Sequence, residues 1–219
     1  MTENLRKLLN SESAIRWLFY GDSITHGANH TFGKRDFSEH FREHVVWETQ
    51  RRNDLVLNSA FSGYTLRELL RDFDFRAAAF RPHAAFIMIG CNDSVKCPQD
   101  EFLPNLQKLW KKFQEIDCLL ILQTPTPIIT QLDPRRGENL IPYPEMIRQF
   151  AAENKVDLID HWQVWEKLTQ QDRYYLMNDP IHPNETGHLM IAHEIFRYME
   201  TFSSQYPVCR MQYGPKINI

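Results

Sequence analysis

Four short segments of the chain bring a hydroxyl, an imidazole, carboxylates and amides close to glycines. They are Gly21-Asp22-Ser23-Ile24-Thr25-His26-Gly27, Asn58-Ser59-Ala60-Phe61-Ser62-Gly63, Gly90-Cys91-Asn92-Asp93 and Asp179-Pro180-Ile181-His182-Pro183. A serine hydroxyl is a weak nucleophile until a neighbouring base takes its proton. An imidazole can take that proton and later return it to a leaving alcohol. A carboxylate three residues earlier, in a turn, can reach back to the ring and fix its tautomer. Ser23, His182 and Asp179 are therefore the candidate nucleophile, base and orienting acid. An oxyanion needs donors already in place, and the candidates are the backbone N–H groups of Ser23 and Gly63 and the side-chain amide of Asn92. Gly63 suits that role because a residue without Cβ lets the backbone come close to a substrate. Asp22 and Asp93 read as supports that orient these loops. Together the four segments hold the groups needed for acyl transfer.

Other residues compete for attention. The Gly-x-Ser-x-Gly elbow is absent, because Thr25 stands where the second glycine belongs. His40-Phe41-Arg42-Glu43-His44 fits the His-x-x-Glu-His pattern of zinc peptidases, and two histidines at i and i+4 can share a zinc. No third ligand is specified, and the helix carries its apolar stripe through Phe37, Phe41 and Val45. His40 and His44 are read as packing residues or salt-bridge partners, so no metal is expected. His26 and His30 are read as solvated residues of the loop after Ser23, with His26 kept as a candidate at the rim of the site. Tyr64, Tyr174 and Tyr175 are further candidates for substrate binding, the last two as rings on which a sugar could stack. Arg135 and Arg136 are read as solvated charges, with contact to an anionic group as the alternative. His188 and His193 are read as structural.

The elements that must position these groups follow from periodicity. Apolar runs at 15–20, 55–59, 84–89, 118–123 and 156–159 read as strands. Helical spacing fills 36–51, 65–80, 101–116, 143–154 and about 185–202, and Thr65 with Glu68 forms a capping box. Apolar strands alternating with helices argue for a parallel sheet covered on both faces. The expectation is an α/β, flavodoxin-like three-layer α/β/α sandwich with a five-stranded parallel sheet. Such folds hold their sites beyond the carboxyl ends of the strands, where the four segments fall. The segment 124–142 is long for a strand-to-helix connection and should emerge at that edge. The 219 residues are expected to form one domain, with a short N-terminal helix at about 2–12 and an irregular tail at about 206–219.

The sequence strongly resembles the SGNH (GDSL-like) hydrolase superfamily. Gly21-Asp22-Ser23-Ile24 corresponds to its first block, Gly63 to its second, Gly90-x-Asn92-Asp93 to its third and Asp179-x-x-His182 to its fifth. Block one has Ile24 where the name-giving motif has Leu, and the second block has Ala60 where many members carry a further glycine. The resemblance implies a serine hydrolase of small-molecule esters or thioesters that uses no metal or organic cofactor. Short-chain acyl or carbohydrate O-acetyl esters are the leading expectation. The alternatives are a thioesterase or lysophospholipase of the same mechanism, or a non-catalytic ligand-binding module.

Composition narrows the partners. Net charge is −3, and no run of five like charges occurs, so a nucleic-acid partner is not expected. No apolar stretch is long enough for a membrane span, and the first ten residues lack a signal-peptide core. Four cysteines without a Cys-x-x-Cys pair suit reduced thiols in the cytoplasm, with a Cys91–Cys97 bridge as the alternative. A homo-oligomer is left open. Glycine is scarce, eight in 219 against roughly 7% in ordinary chains, and four of the eight fall in the first three segments.

Overall fold

The computed structural model describes residues 1–213. Five parallel strands, β1 (Arg16–Gly21), β2 (Leu55–Asn58), β3 (Ala84–Met88), β4 (Leu119–Gln123) and β5 (Asp157–Ile159), form one sheet in the order β2-β1-β3-β4-β5. The side-chain period of two divides each strand between two cores. Trp17, Phe19, Ala84, Phe86 and Met88 face one core, and Phe19 stacks on Phe86 at 4.7 Å. Leu18, Tyr20, Ala85 and Ile87 face the other. Helices Phe37–Arg42 and Glu185–Tyr198 supply Phe37, Phe41, Ile191 and Ile195 to the first core. Helices Leu66–Arg71, Phe102–Glu115 and Pro142–Asn154 supply Leu69, Leu106, Leu109, Phe113 and Ile147 to the second. The central strands β1, β3 and β4 are therefore buried on both faces, which is why they are mostly apolar, whereas the edge strand β2 is partly exposed.

The chain runs from β1 outward to β2, then crosses back to β3 on the other side of β1. The carboxyl ends of β1 and β3 thus flank the point where strand order reverses, the place such sheets use for ligands. Ser23 follows β1 directly, and Asn92 follows β3.

Three local expectations change. The helix expected over 65–80 breaks into Leu66–Arg71, Phe73–Arg76 and a 3-10 turn, Ala78–Phe80. Asp72 leaves helical geometry as its carboxylate takes Tyr64 Oη and Arg71, and the Arg76 carbonyl accepts Ser59 Oγ at 2.5 Å, which takes it out of a helical ladder. The helix over 36–51 passes after Arg42 into a π-helical turn, Glu43–Glu48, that ends with Thr49 N–H donating to His44 O. The connection 124–142 contains a helix, Pro134–Leu140, started by Asp133 as N-cap and Pro134 in its first turn. Helices His161–Trp165 and Gln170–Tyr175 were not expected.

At the two ends, helix Glu3–Leu9 is capped by Thr2, and a short helix, Pro207–Arg210, lies within the stretch expected to be irregular. Tyr213 joins the first core and its hydroxyl bonds His193 Nδ1 at 2.5 Å; residues 214–219 of that tail lie outside the described residues. All four cysteines are free thiols, so Cys91 and Cys97 are not bridged. Among the described residues no helix is long and apolar enough to cross a membrane.

Candidate active site

Ser23 opens a four-residue helix, Ser23–His26, capped by Asp22, whose Oδ1 accepts Ile24 N–H at 3.0 Å. The turn lies tight against β3. A Cβ on Gly21 would sit 2.5 Å from Met88 O and 2.7 Å from Thr25 Oγ1, so only glycine allows the approach. Asp22 is buried, and that burial pushes its carboxyl up to about 7.

Ser23 Oγ lies 2.8 Å from His182 Nε2, although 159 residues separate the two in sequence. His182 Nδ1 lies 2.7 Å and 3.0 Å from the two oxygens of Asp179. With Nδ1–H donated to the carboxylate, Nε2 is left to accept the serine proton. Asp179 Oδ1 also accepts Ile181 N–H and His182 N–H, each at 2.8 Å. Partial burial works against its charge, but these N–H groups and the imidazole hold the carboxyl below its usual range. The turn is fastened from outside by Asn178 N–H to His182 O at 2.9 Å and Ile129 N–H to Pro180 O at 2.8 Å.

Three candidate donors lie in the loops that follow β1, β2 and β3. Among the described residues, neither Ser23 N–H nor Gly63 N–H meets an acceptor. Asn92 Nδ2 gives one hydrogen to Tyr64 O at 3.1 Å and keeps the other. Gly63 has φ of +86°, a conformation that favours glycine, and Lys96 Nζ holds its carbonyl at 2.6 Å. Asp93 accepts Leu66 N–H at 2.9 Å, which ties the β3 loop to the helix after β2; burial pushes its carboxyl up to about 6.

The remaining candidates separate. His26 bridges two loops, with Nδ1 3.0 Å from Ser62 Oγ and its ring stacked on half-exposed Phe61 at 5.7 Å. Tyr64 is buried, its hydroxyl committed to Asp72; its contribution to the site is its backbone carbonyl. Tyr174 and Tyr175 end an outer helix and are exposed. A cleft of about 340 Å³ lies beyond the end of helix Ser23–His26, lined by His26, Gly27, Lys34, Arg42, Val56 and Asn58 among others, and none of Ser23, His182, Asp179, Gly63 or Asn92 lines it.

Two residues read as solvated prove to be part of the arrangement. The His30 ring lies flat on His182, with centroids 3.6 Å apart and planes 12° apart. Burial, and then the neighbouring His182, lower its basicity, so a neutral ring stacks on the imidazole. Arg136 reaches Asn92 Oδ1 at 3.3 Å and Cys91 O at 3.2 Å. A signal for Arg136 was present in the Asp133-Pro134 pair, which starts a helix; for His30 there was none.

His40 and His44 do not share a ligand position. His40 is buried with Nδ1 unpartnered among the described residues, whereas His44 Nδ1 bonds Glu48 at 2.7 Å and Nε2 bonds Thr201 at 3.1 Å. Among the described residues two other groups converge within ligand distance, His30–Asp179–His182 and His44–Glu48–Cys209. In the first the rings are parallel, so their lone pairs run side by side rather than toward one ion. In the second both His44 nitrogens are taken, and Glu48 Oε1 accepts Val208 N–H at 2.8 Å.

Ser23 in the turn after β1 thus meets the Asp–His turn before the last helix, with the Asn92 amide after β3, an arrangement able to act as a serine hydrolase. Residues 19–190 match the model of the GDSL-like lipase/acylhydrolase family, and the chain belongs to that family. It is an SGNH-type esterase. The isoamyl acetate-hydrolyzing esterase of Saccharomyces cerevisiae is 24% identical over 92% of both chains. The acetylxylan esterase of Geobacillus stearothermophilus is 26% identical over 84% of this chain and 94% of its own. The crystal structure of that esterase, Axe2, superposes with a TM-score of 0.70 at 24% identity, covering 85% of this chain and 94% of the other. The acetyl xylan esterase AlAXEase superposes with a TM-score of 0.72 at 20% identity, covering 84% and 98%.

Proposed function

We propose that this esterase cleaves short acyl esters, foremost O-acetyl esters of carbohydrates, through an acyl-enzyme on Ser23. The observation that carries the mechanism is the Ser23–His182–Asp179 relay, with contacts of 2.8 Å and 2.7 Å. Ser23 Oγ attacks the carbonyl carbon while its proton passes to His182 Nε2. The resulting oxyanion takes hydrogen bonds from Ser23 N–H, Gly63 N–H and Asn92 Nδ2. The C–O bond to the alcohol then breaks as His182 returns the proton to the leaving oxygen. Water repeats the sequence on the acyl-enzyme and releases the acid. Asp179 keeps Nε2 as the acceptor throughout. Among solved forms of Axe2 are catalytic mutants in which a serine, a histidine or an aspartate is replaced by alanine, which supports the same trio here.

Two relatives support the acetyl group: one is named for isoamyl acetate and one for acetylxylan. The four free thiols fit a reducing, cytoplasmic setting.

The test combines Ser23→Ala with a substrate panel. Ser23→Ala should abolish turnover of p-nitrophenyl acetate and labelling by a fluorophosphonate while leaving the circular dichroism spectrum unchanged. Full activity of that variant would refute the mechanism. A preference for octanoyl over acetyl esters, or no turnover of acetylated xylo-oligosaccharides, would refute the substrate class.

A further inference from the structure

We infer that Arg136 is a positioning residue for the Asn92 amide, holding it in the one orientation that offers an N–H to the oxyanion. The inference rests on the reading of Asn92 as an oxyanion donor. A carboxamide can turn over, exchanging its two donors for an acceptor, with little change in shape. Arginine has only donors. Nη1 of Arg136 stands 3.3 Å from the outer atom of the Asn92 amide and 3.2 Å from Cys91 O, so that outer atom has to be the oxygen. The nitrogen then faces Tyr64 O at 3.1 Å and retains one free hydrogen. In the flipped amide an NH2 would meet a guanidinium and an oxygen would meet a carbonyl, two repulsive contacts in place of two hydrogen bonds. The charged donor on Oδ1 also draws electron density from Nδ2 and makes its N–H a stronger donor.

Arg136 is itself held in place. Its Nε bonds Asp133 Oδ2 at 3.1 Å, and its backbone N–H is capped by Asp133 Oδ1 at 3.2 Å. The helix that carries it lies against Thr130, since a Cβ on Gly137 would sit 2.4 Å from Thr130 Oγ1. The Asp133 carboxylate answers its charge, and its side chain is only 18% exposed. Arg136 is thus engaged with the protein on both sides rather than free to receive a substrate anion, and its effect belongs in kcat and not in KM.

The experiment measures kcat and KM for p-nitrophenyl acetate in the wild type, Asn92→Ala, Arg136→Ala, Arg136→Lys and the Asn92→Ala/Arg136→Ala double variant, with melting temperatures alongside. Arg136→Ala should lower kcat by about 10- to 100-fold with KM within about twofold. Guanidinium ion at millimolar concentration should restore part of that loss by occupying the vacated place. In the Asn92→Ala background the same substitution should cost less than about twofold. An equal factor in both backgrounds, or a rise in KM with kcat unchanged, overturns the inference. If Arg136→Ala does not fold, Arg136→Lys decides: it keeps the charge but not the fork, and its loss of kcat must also vanish when Asn92 is alanine. Full kcat in Asn92→Ala alone would instead refute the oxyanion role of Asn92, a different failure.

Discussion

The buried His188 offers a quantitative test of how the fold protects the site. It lies on helix Glu185–Tyr198 with no exposed surface, both ring nitrogens lack a partner among the described residues, and its ring is nearly parallel to Phe37 at 5.8 Å. Burial foremost, then His40, His182 and His30, push its pKa down from 6.5 to about 3. The unfolded chain binds a proton there below about pH 6.5, but the folded protein does not until about pH 3. The neutral ring's contribution to stability is therefore complete above pH 6.5 and is lost as pH falls toward 3. Each pH unit in that window is worth about 1.4 kcal/mol, so from neutral pH to about pH 5 the wild type loses about 2 kcal/mol through this residue. Because pH 5 stays above the folded value, that figure hardly depends on how deep the depression is. His188→Leu removes the proton site and keeps an apolar side chain in the core. The other titrating groups, including Asp22 and Asp93, are common to both proteins, so they largely cancel in the difference. Urea unfolding at about pH 7.5 and about pH 5 should show the variant gaining about 2 kcal/mol on the wild type, near 1 M in midpoint. A stability difference that stays constant between the two pH values would refute the assignment of a neutral, unprotonated His188.

Other substitutions follow from the same geometry. Asp179→Asn retains shape but can hold His182 in the wrong tautomer; kcat should fall by about 10⁴ with a small change in KM, and a loss below tenfold would remove Asp179 from the relay. Asp93 has a raised folded pKa of about 6, so its contribution to stability is present below pH 3.8 and lost as pH rises through 6. Asp93→Asn, measured by denaturant unfolding, should therefore gain on the wild type as pH climbs from about 4 to about 6, then level off. A gain that grows toward acid would contradict that sign.

Much of the fold was legible because its causes are local. Mostly apolar runs without polar alternation marked β1, β3 and β4, since a strand buried on both faces has no polar side to alternate with. Thr65 and Glu68 announced their helix because a capping box is a four-residue device. Where that helix stopped was not legible. It ends on Asp72 and Arg76, whose partners Tyr64 and Ser59 are reached through space. The His40 and His44 pair looked like a metal motif in one dimension. In three, the helix passes into a π turn and His44 turns to Glu48 and Thr201.

For the site, residue type and order were enough to make Ser23, Asn92, Asp179 and His182 candidates, because acyl transfer admits few chemical solutions and each residue follows or precedes an element whose pattern is readable. Gly21 and Gly63 were informative for the same reason, as a scarce residue placed where a close approach or a positive φ is needed. The tertiary structure alone decided which side chains support these groups. His30 lies 152 residues from His182 and stacks on it, and Arg136 lies 44 residues from Asn92 and locks its amide. Neither position has a spacing rule, because a loop of any length can deliver a side chain once the sheet has brought the strand ends together. The candidate groups are legible in the sequence; the contacts that orient them exist only after the chain has closed around them.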